Sequence, residues 1–411
     1  MKVYIFIYNV VAIKIKLSSL QYENDSKFIL IGSDHCIKNL SDNNRSFFHE
    51  IHCVDRNFHR IDSNLLEQVI QREISTTSPA DIALLTNEDS TQLVCSHLRE
   101  KYHIPGCRNE AVLPYVNKDI CKKILSGAVT VPRFCVFDKK EYKTNAQAYI
   151  QQVISFLGFP MFIKPVDLVS SMGTFYVPDE HVLKDVLEDI FHQPWKFEID
   201  EFIDGDLFHC DVIVADNEIK FFTAGQYANP LARFSKGKPM GSIPVIDSSF
   251  LGELRTFSET VLNRLGIFSS AFHIEVFRKA ISNELVFLEA ASRTPGALVP
   301  EMYERVFNVH LERLHFQAQI QLEELDEPKH TGYQAGWITY PQKGGKVVDL
   351  YLPSLAVDHE FMSYVSKGQQ LKQAETLLDG ACSALFWDAS SSRVEEAFEL
   401  LKFHQPLIMK M

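Results

Sequence analysis

The sequence predicts a multi-lobed protein that combines an α/β lobe with α+β lobes, on three observations. The chain has 411 residues, too many for one compact core and suited to two or three packed lobes. Up to about Asn117, apolar runs alternate with helix-like stretches, the rhythm of a parallel sheet with crossover helices. Beyond that point helices are followed by strand-like runs, and two of these, 271–279 and 285–291, lie close enough to form a hairpin.

Each element follows from its local pattern. The opening run Met1 to Leu17 is apolar enough to raise the question of an export signal. It lacks a small-residue cleavage site, and Lys14 and Lys16 interrupt it too early for a membrane span, so it reads as a first buried strand. Phe28 to Ile31 and Ile82 to Leu85 are further strands, separated by helix-like Leu65 to Glu73 and followed by Thr91 to Lys101. A helix is expected over Lys118 to Leu125, with Gly127 and Pro132 marking its exit. Another spans Ala146 to Leu157 and is closed by Gly158, before a strand over Pro160 to Val166. Residues 181–191 look helical, and Phe197 to Gly225 reads as strands, with Phe208, Cys210 and Val212 alternating. Leu251 to Leu265 is a longer helix. After about Thr331, a strand over Gly332 to Tyr340 and a helix over Val394 to Phe403 form a small α+β lobe. The boundaries expected are 1–116, 117–325 (a small lobe over about 130–200 and a large one over about 201–325) and 326–411.

Composition excludes several functions. Hydrophobic residues make up 46% and charged residues 23%, ordinary for a globular chain with substantial cores. A net charge of -12 argues against binding a phosphate backbone, which needs clustered Lys and Arg. Eight scattered cysteines include no C-x-x-C pair and read as reduced thiols in a cytoplasmic protein. Neither nucleic acid nor membrane is an expected partner.

The most informative segment is Ala271 to Arg293. If its hairpin is centred on Ser282, Glu275 lies directly across from Glu289. Two opposed carboxylates among apolar neighbours repel each other and are costly to bury, unless a cation lies between them. Magnesium suits such a pair, because it takes one or two protein carboxylates and completes its shell with water and phosphate oxygens. The same face carries His273 and Phe277, with Ala291 and Arg293 following Glu289 at period two. A solvent-facing side of a half-buried sheet is the alternative for the same pattern.

Upstream, the strand ending in Lys164 runs into a loop with Ser170, Ser171 and Gly173. A lysine there can point into a cleft, while loop hydroxyls and N–H groups cradle phosphates. The competing reading is a strand-end lysine that snorkels to water. Lys118 reads from its position alone as a solvated helix start.

Taken in order, these segments resemble the ATP-grasp superfamily, in its carboxylate–amine ligase branch with the L-amino-acid ligases and dipeptide synthetases. His103 to Phe134 is similar to the family's passage from an N-terminal Rossmann-like pre-ATP-grasp domain to the first nucleotide lysine, which makes Lys118 that residue. Lys164 and the loop with Ser171 and Gly173 match the second lysine and the phosphate-covering loop. Ile199 to Val214 is similar to the hinge whose backbone holds adenine, which carries that role to Asp200, Glu201, Phe202 and Ile203. His209, close by, joins the nucleotide-binding candidates, with a buried histidine satisfied by its neighbours as the alternative; His273 has the same two readings. HIEVF and FLEAASRTPG match the strands that supply the magnesium carboxylates and a following arginine and glycine, here Glu275, Glu289, Arg293 and Gly296.

The resemblance implies an ATP-grasp fold with a small C-terminal lobe, ATP and Mg2+ (or Mn2+) as cofactors, and small-molecule carboxylate and amine substrates, amino acids foremost, with a homodimer compatible. Its chemistry is an acyl phosphate made at the expense of ATP and captured by an amine, with Arg293 and Lys164 in catalytic roles. Three features depart from the pattern: Leu207 where an acidic ribose contact is common, Ala291 where an asparagine often follows the second metal glutamate, and a phosphate loop with Val169 and Met172 beside its serines. The first two also permit a second reading, a catalytically weakened ATP-binding regulatory protein.

Overall fold

The computed structural model describes residues 1–57, 61–168, 172–322 and 324–410. The N-terminal lobe is a parallel sheet in the order Glu50–Val54, Ser26–Ser33, Lys2–Tyr8, Ile82–Thr86. Helices Ser63–Ile74 and Asp89–Tyr102 contribute to its core. The expected strand over the opening run is therefore real only as far as Tyr8. From Asn9 the chain loops, because the N–H groups of Asn9, Val10 and Val11 are given to the buried Glu88 carboxylate at 2.8 to 3.0 Å. Burial pushes the Glu88 carboxyl up to about 7 against those three donors.

A second, antiparallel sheet runs Phe134–Val136, Phe197–Glu201, Met161–Pro165, Phe175–Val177. Helices Ala146–Leu157 and Glu180–Phe191 cover it with Tyr149, Ile150, Val153, Leu183 and Leu187, residues spaced as one helical face requires.

The largest sheet has eight strands, in the order Leu285–Ala291, Ser270–Lys279, Gly205–Ala215, Glu218–Tyr227, Met240–Pro244, Gln334–Pro341, Gly380–Asp388, Asp358–Ser363. Strand 205–215 shows why it lies at the centre. Phe208, Cys210, Val212 and Val214 pack on one face, with helix Ser248–Leu265. Leu207, Ile213 and Ala215 pack on the other, with helices Val299–Phe307 and Leu311–Gln319. A strand buried on both faces must be apolar on both, and the exceptions, His209 and Asp211, mark the site. Three of the eight strands come from the segment after residue 326, which keeps for itself only a three-stranded sheet of Gln370–Leu371, Gly345–Leu350 and Leu407–Lys410. The boundary expected at 326 thus falls within one continuous sheet. No helix among the described residues is long and apolar enough to cross a membrane.

The N-terminal lobe is fastened to the large sheet through polar contacts. Tyr8 donates its hydroxyl to Glu312 at 2.7 Å. His315 accepts the Ala271 N–H at Nδ1 (2.9 Å) and lies 2.8 Å from the Thr86 carbonyl at Nε2. Protonating Nδ1 would break the Ala271 bond. Burial lowers the His315 pKa from 6.5 to about 4, with the Thr86 carbonyl opposing. The unfolded chain therefore binds a proton that the folded one refuses, so this contribution is complete above pH 6.5 and is lost as pH falls towards 4. The loss reaches roughly 3 kcal/mol. Melting temperature is expected to fall over that interval in the wild type and to fall less steeply in His315→Gln; identical slopes would refute the assignment.

Candidate active site

The cleft between the four-stranded antiparallel sheet and the large sheet encloses about 1220 Å³. Lys118, Lys164, Asp200, Glu201, Phe202, Ile203, Glu275 and Glu289 all line it. Arg293 lines a smaller adjoining pocket together with Lys118 and Glu289. Gly173 adopts φ +65, and a Cβ there would approach Pro165 to 3.1 Å, so the turn needs glycine. Ser170 and Ser171 lie outside the described residues. His209 lines neither cavity: it is fully buried behind Glu275.

The carboxylate pair owes its register to a bulge. Near the turn Arg278 faces Leu285 and Phe277 faces Val286, one residue away from what a turn centred on Ser282 requires. Asn283, at φ 58, closes the turn and gives its N–H to Lys279 O at 3.0 Å. Between Val276 and Glu275 the ladder shifts, with Leu288 as the extra residue, and Glu275 then faces Glu289. Leu288 and Glu289 both line the cleft as a result.

The two carboxylates have different surroundings. Glu275 is nearly buried and sits 3.5 Å from His273 Nε2. The Glu289 side chain keeps 39% of its exposure and lies 3.9 Å from Lys118 Nζ. Burial alone would raise the Glu289 pKa, but Lys118, Lys164 and Arg293 together hold it below the usual range. The Lys118 ammonium is tied to Leu168 O at 2.6 Å. The pair therefore offers oxygen donors only, one of them open to the cleft, which fits a hard divalent cation such as Mg2+. Ala291, two residues beyond Glu289, adds no donor and lies directly across from His273.

Beneath Lys164 lies a charge cluster that local pattern did not single out. Lys122, fully buried, donates to Glu198 at 2.9 Å and to Asp200 at 2.5 Å. Lys164 reaches the same carboxylates at 3.5 and 3.3 Å. Burial would favour neutral lysine, yet Asp200 and Glu198 raise the Lys164 pKa and keep it charged. Asp200 is held below its usual range because the two lysines outweigh its burial. Its side chain thus anchors Lys164. The sequence did contain a signal. Lys118 and Lys122 are four apart on one helix face, and Glu198 and Asp200 are two apart on one strand face.

At the hinge, Glu201 is bound through its side chain by Arg133, with both N···O contacts at 2.8 Å. The Phe202 N–H goes to Pro160 O at 3.1 Å. Leu207 is packed in the large-lobe core while lining the cleft, so no carboxylate stands at that position.

The N-terminal lobe completes the arginine pocket. Asp89, in the first turn of its helix, receives Arg293 Nε at 2.5 Å, and Arg293 Nη1 donates to Thr294 O at 2.9 Å. Asn87 accepts the Thr294 N–H at 2.9 Å, and Gln92 donates to Ser292 O at 2.9 Å. Asp89 pairs with this half-buried guanidinium and raises its pKa further against the effect of burial. Asp89 escaped the sequence reading, although it follows the carboxyl end of a parallel strand, where ligand-facing residues of open α/β sheets gather.

The family model described as D-ala D-ala ligase C-terminus matches residues 125–231. The L-arginine-specific L-amino acid ligase of Bacillus subtilis is 26% identical over 248 residues, 58% of this chain and 57% of that protein. A D-alanine--D-alanine ligase of Halothermothrix orenii is 22% identical over 200 residues, 47% of this chain and 57% of that protein. The chain thus spans somewhat over half the length of these curated relatives. Among solved structures, the L-amino acid ligase of Bacillus licheniformis superposes with a TM-score of 0.73 at 13% identity, covering 100% of this chain and 99% of that one. N5-carboxyaminoimidazole synthetase of Staphylococcus aureus, complexed with ADP, superposes with a TM-score of 0.69 at 16% identity, covering 98% of each chain. The chain has the ATP-grasp fold, and its likenesses in sequence and structure lie in the carboxylate–amine ligase branch of that superfamily.

Proposed function

We propose that the protein is an ADP-forming carboxylate–amine ligase that spends ATP to join two small molecules, amino acids foremost, through an amide bond. The observation that carries this reading is the opposition of Glu275 and Glu289 on the wall of one cleft with Lys118 and Lys164, beside Arg293.

A carboxylate is a poor electrophile, so it must be activated before an amine can attack it. One substrate carboxylate oxygen attacks the γ-phosphorus of ATP, the bond to the β–γ bridging oxygen breaks, and ADP leaves with that electron pair. The amine nitrogen then attacks the acyl carbon, phosphate departs, and the amine's surplus proton is released. Mg2+ held by Glu275 and Glu289 would supply charge neutralisation at the phosphate oxygens. Lys164, fixed by Glu198 and Asp200, and Lys118, tied to Leu168 O, hold positive charge on the cleft wall at no cost in reorganisation. Arg293, anchored through Nε, retains Nη2 for a substrate carboxylate or for the oxyanion of the tetrahedral intermediate. The hinge from Asp200 to Ile203 supports the adenine-binding reading by its place on the cleft wall. Eight free cysteines suit a cytoplasmic setting.

The test is phosphate release from ATP in the presence of amino-acid pairs. Release is expected to depend on both a carboxylate and an amine, and its absence across the screen with folded, ATP-binding protein would overturn the ligase reading. Ala291 and the packed Leu207 favour a second reading, a regulatory ATP-binding protein. Calorimetry separates the two, because a site without working metal carboxylates would bind ATP equally with and without Mg2+.

A further inference from the structure

Strand Leu285–Ala291 ends just before Arg293, and the segment 292–298 that joins it to helix Val299–Phe307 is held by the N-terminal lobe. Gln92 donates to Ser292 O at 2.9 Å, and Asn87 engages both the N–H and the hydroxyl of Thr294 at 2.8 to 3.1 Å. Lys14 reaches Ala297 O. Arg293, between Ser292 and Thr294, gives its Nε–H to Asp89. The holding residues are themselves fixed, because Glu88, between Asn87 and Asp89, takes the N–H groups of Asn9, Val10 and Val11. None of the described residues before Lys118 lines the cleft. The N-terminal lobe thus shapes the arginine segment without entering the cleft itself.

The hold on Arg293 is directional. A guanidinium is planar, so anchoring two of its nitrogens sets the direction of the third. Asp89 Oδ2 takes Nε at 2.5 Å and Thr294 O takes Nη1 at 2.9 Å. Thr294 O belongs to the next residue and moves with the arginine's own backbone, which leaves Asp89 as the outside reference. The Asp89 side chain keeps only 12% of its exposure and stands in the first turn of its helix, where the helix dipole favours a carboxylate. After Asp89, the carboxylates that attract Arg293 are Glu289 and Glu275. With Asp89 removed, the guanidinium would swing towards Glu289 and Nη2 would lose its direction.

We propose that Asp89 is a positioning residue: from the N-terminal lobe it holds Arg293 by Nε and so aims Nη2 at the substrates. The inference rests on the reading of Arg293 as the group that meets a substrate carboxylate or the oxyanion.

A double-variant cycle separates positioning from mere fastening of the lobes. It is read as kcat and KM for phosphate release from ATP with the amino-acid pair that best supports it. Asp89→Ala is expected to lower kcat/KM for the amino acids by about 10²-fold, the loss that a misplaced active-site group typically brings, with KM for ATP unchanged. Asp89→Asn, whose amide oxygen can still accept from Nε, is expected to recover most of that loss. In an Arg293→Ala background, Asp89→Ala should cost nothing further, because a residue that acts through Arg293 has nothing left to position. Gln92→Ala is the comparison for fastening: it removes a neighbouring contact between the lobes, while Ser292 O keeps the Ser270 hydroxyl at 3.2 Å. It is expected to lower the melting temperature but to reduce kcat/KM less than Asp89→Ala does. Wild-type kinetics in Asp89→Ala, the same loss with and without Arg293, or equal losses in Asp89→Ala and Gln92→Ala would overturn the positioning role while leaving the ligase reading intact. If Arg293→Ala turns over like the wild type, or no amino-acid pair supports release, the reading of Arg293 fails and this inference fails with it. A readout independent of turnover is the arginine Nε–H spectrum of 15N-labelled full-length protein. A slowly exchanging resonance, assigned by its loss in Arg293→Lys, is expected in the wild type, Asp89→Asn and Gln92→Ala and not in Asp89→Ala. Its absence from the wild type, or its persistence in Asp89→Ala, would also overturn the proposal.

Discussion

Replacing Glu289 by Gln is expected to lower turnover by about 10²- to 10³-fold or more, the range seen when one preorganised charge-stabilising group is removed from an active site. The substitution keeps the shape of the side chain and removes the charge. Glu289 is the more exposed member of the pair, with Lys118, Lys164 and Arg293 holding its carboxyl in the charged form. Its loss should therefore leave Lys118 and Lys164 on the cleft wall, and Arg293 in the adjoining pocket, without their shared counter-charge. ATP binding in the absence of metal should persist or strengthen, because negative charge near the phosphates is removed. The metal-dependent part of binding should disappear. Steady-state phosphate release and calorimetry with and without Mg2+ are the measurements, and turnover unchanged in Glu289→Gln would remove the central claim.

Lys122→Met is expected to destabilise the protein by about 3–5 kcal/mol, the cost of leaving one partner of a buried ion pair uncompensated. Lys122 is fully buried and contacts both Glu198 and Asp200. Without it, Lys164 alone would face two carboxylates sealed from water. Methionine fills similar volume, so most of the loss should come from charge rather than from a cavity. The double variant Lys122→Met with Glu198→Gln removes one charge of each sign and should recover part of the loss. Chemical denaturation of the three proteins checks this; a loss below about 1 kcal/mol, the value of an exposed pair, would mean that the cluster is not sealed. Because Asp200 also orients Lys164, the single variant should lower activity even where it remains folded.

Much of the site was legible because alternation along a strand is a local property. The pattern from Phe208 to Val214 places His209 and Asp211 on the face opposite the apolar residues whatever the strand pairs with, and the same holds for His273 and Glu275. The expected helices over 118–125, 146–157 and 251–265 appear as Lys118–Leu125, Ala146–Leu157 and Ser248–Leu265, since capping and amphipathic spacing also act within one or two turns. The opposition of Glu275 and Glu289 was anticipated from a turn centre that the structure places half a residue away, and the Leu288 bulge restores it. Bulges depend on how a hairpin twists against its neighbours, which no spacing within the hairpin reveals.

By itself, then, the sequence determined several of the helices and the faces of the strands on which polar residues stand, Glu275 and Glu289 among them. Only the tertiary structure decided which partners those residues meet: Asp211 between two histidines, Lys122 beneath Lys164, and Asp89 from the N-terminal lobe on Arg293. It also decided that the segment after 326 extends the central sheet. The physical reason is range. Side-chain direction is set by backbone geometry over a few residues, whereas strand order and lobe docking are set by burying apolar surface across the whole chain. The partners of a buried charge are chosen only once that burial is complete.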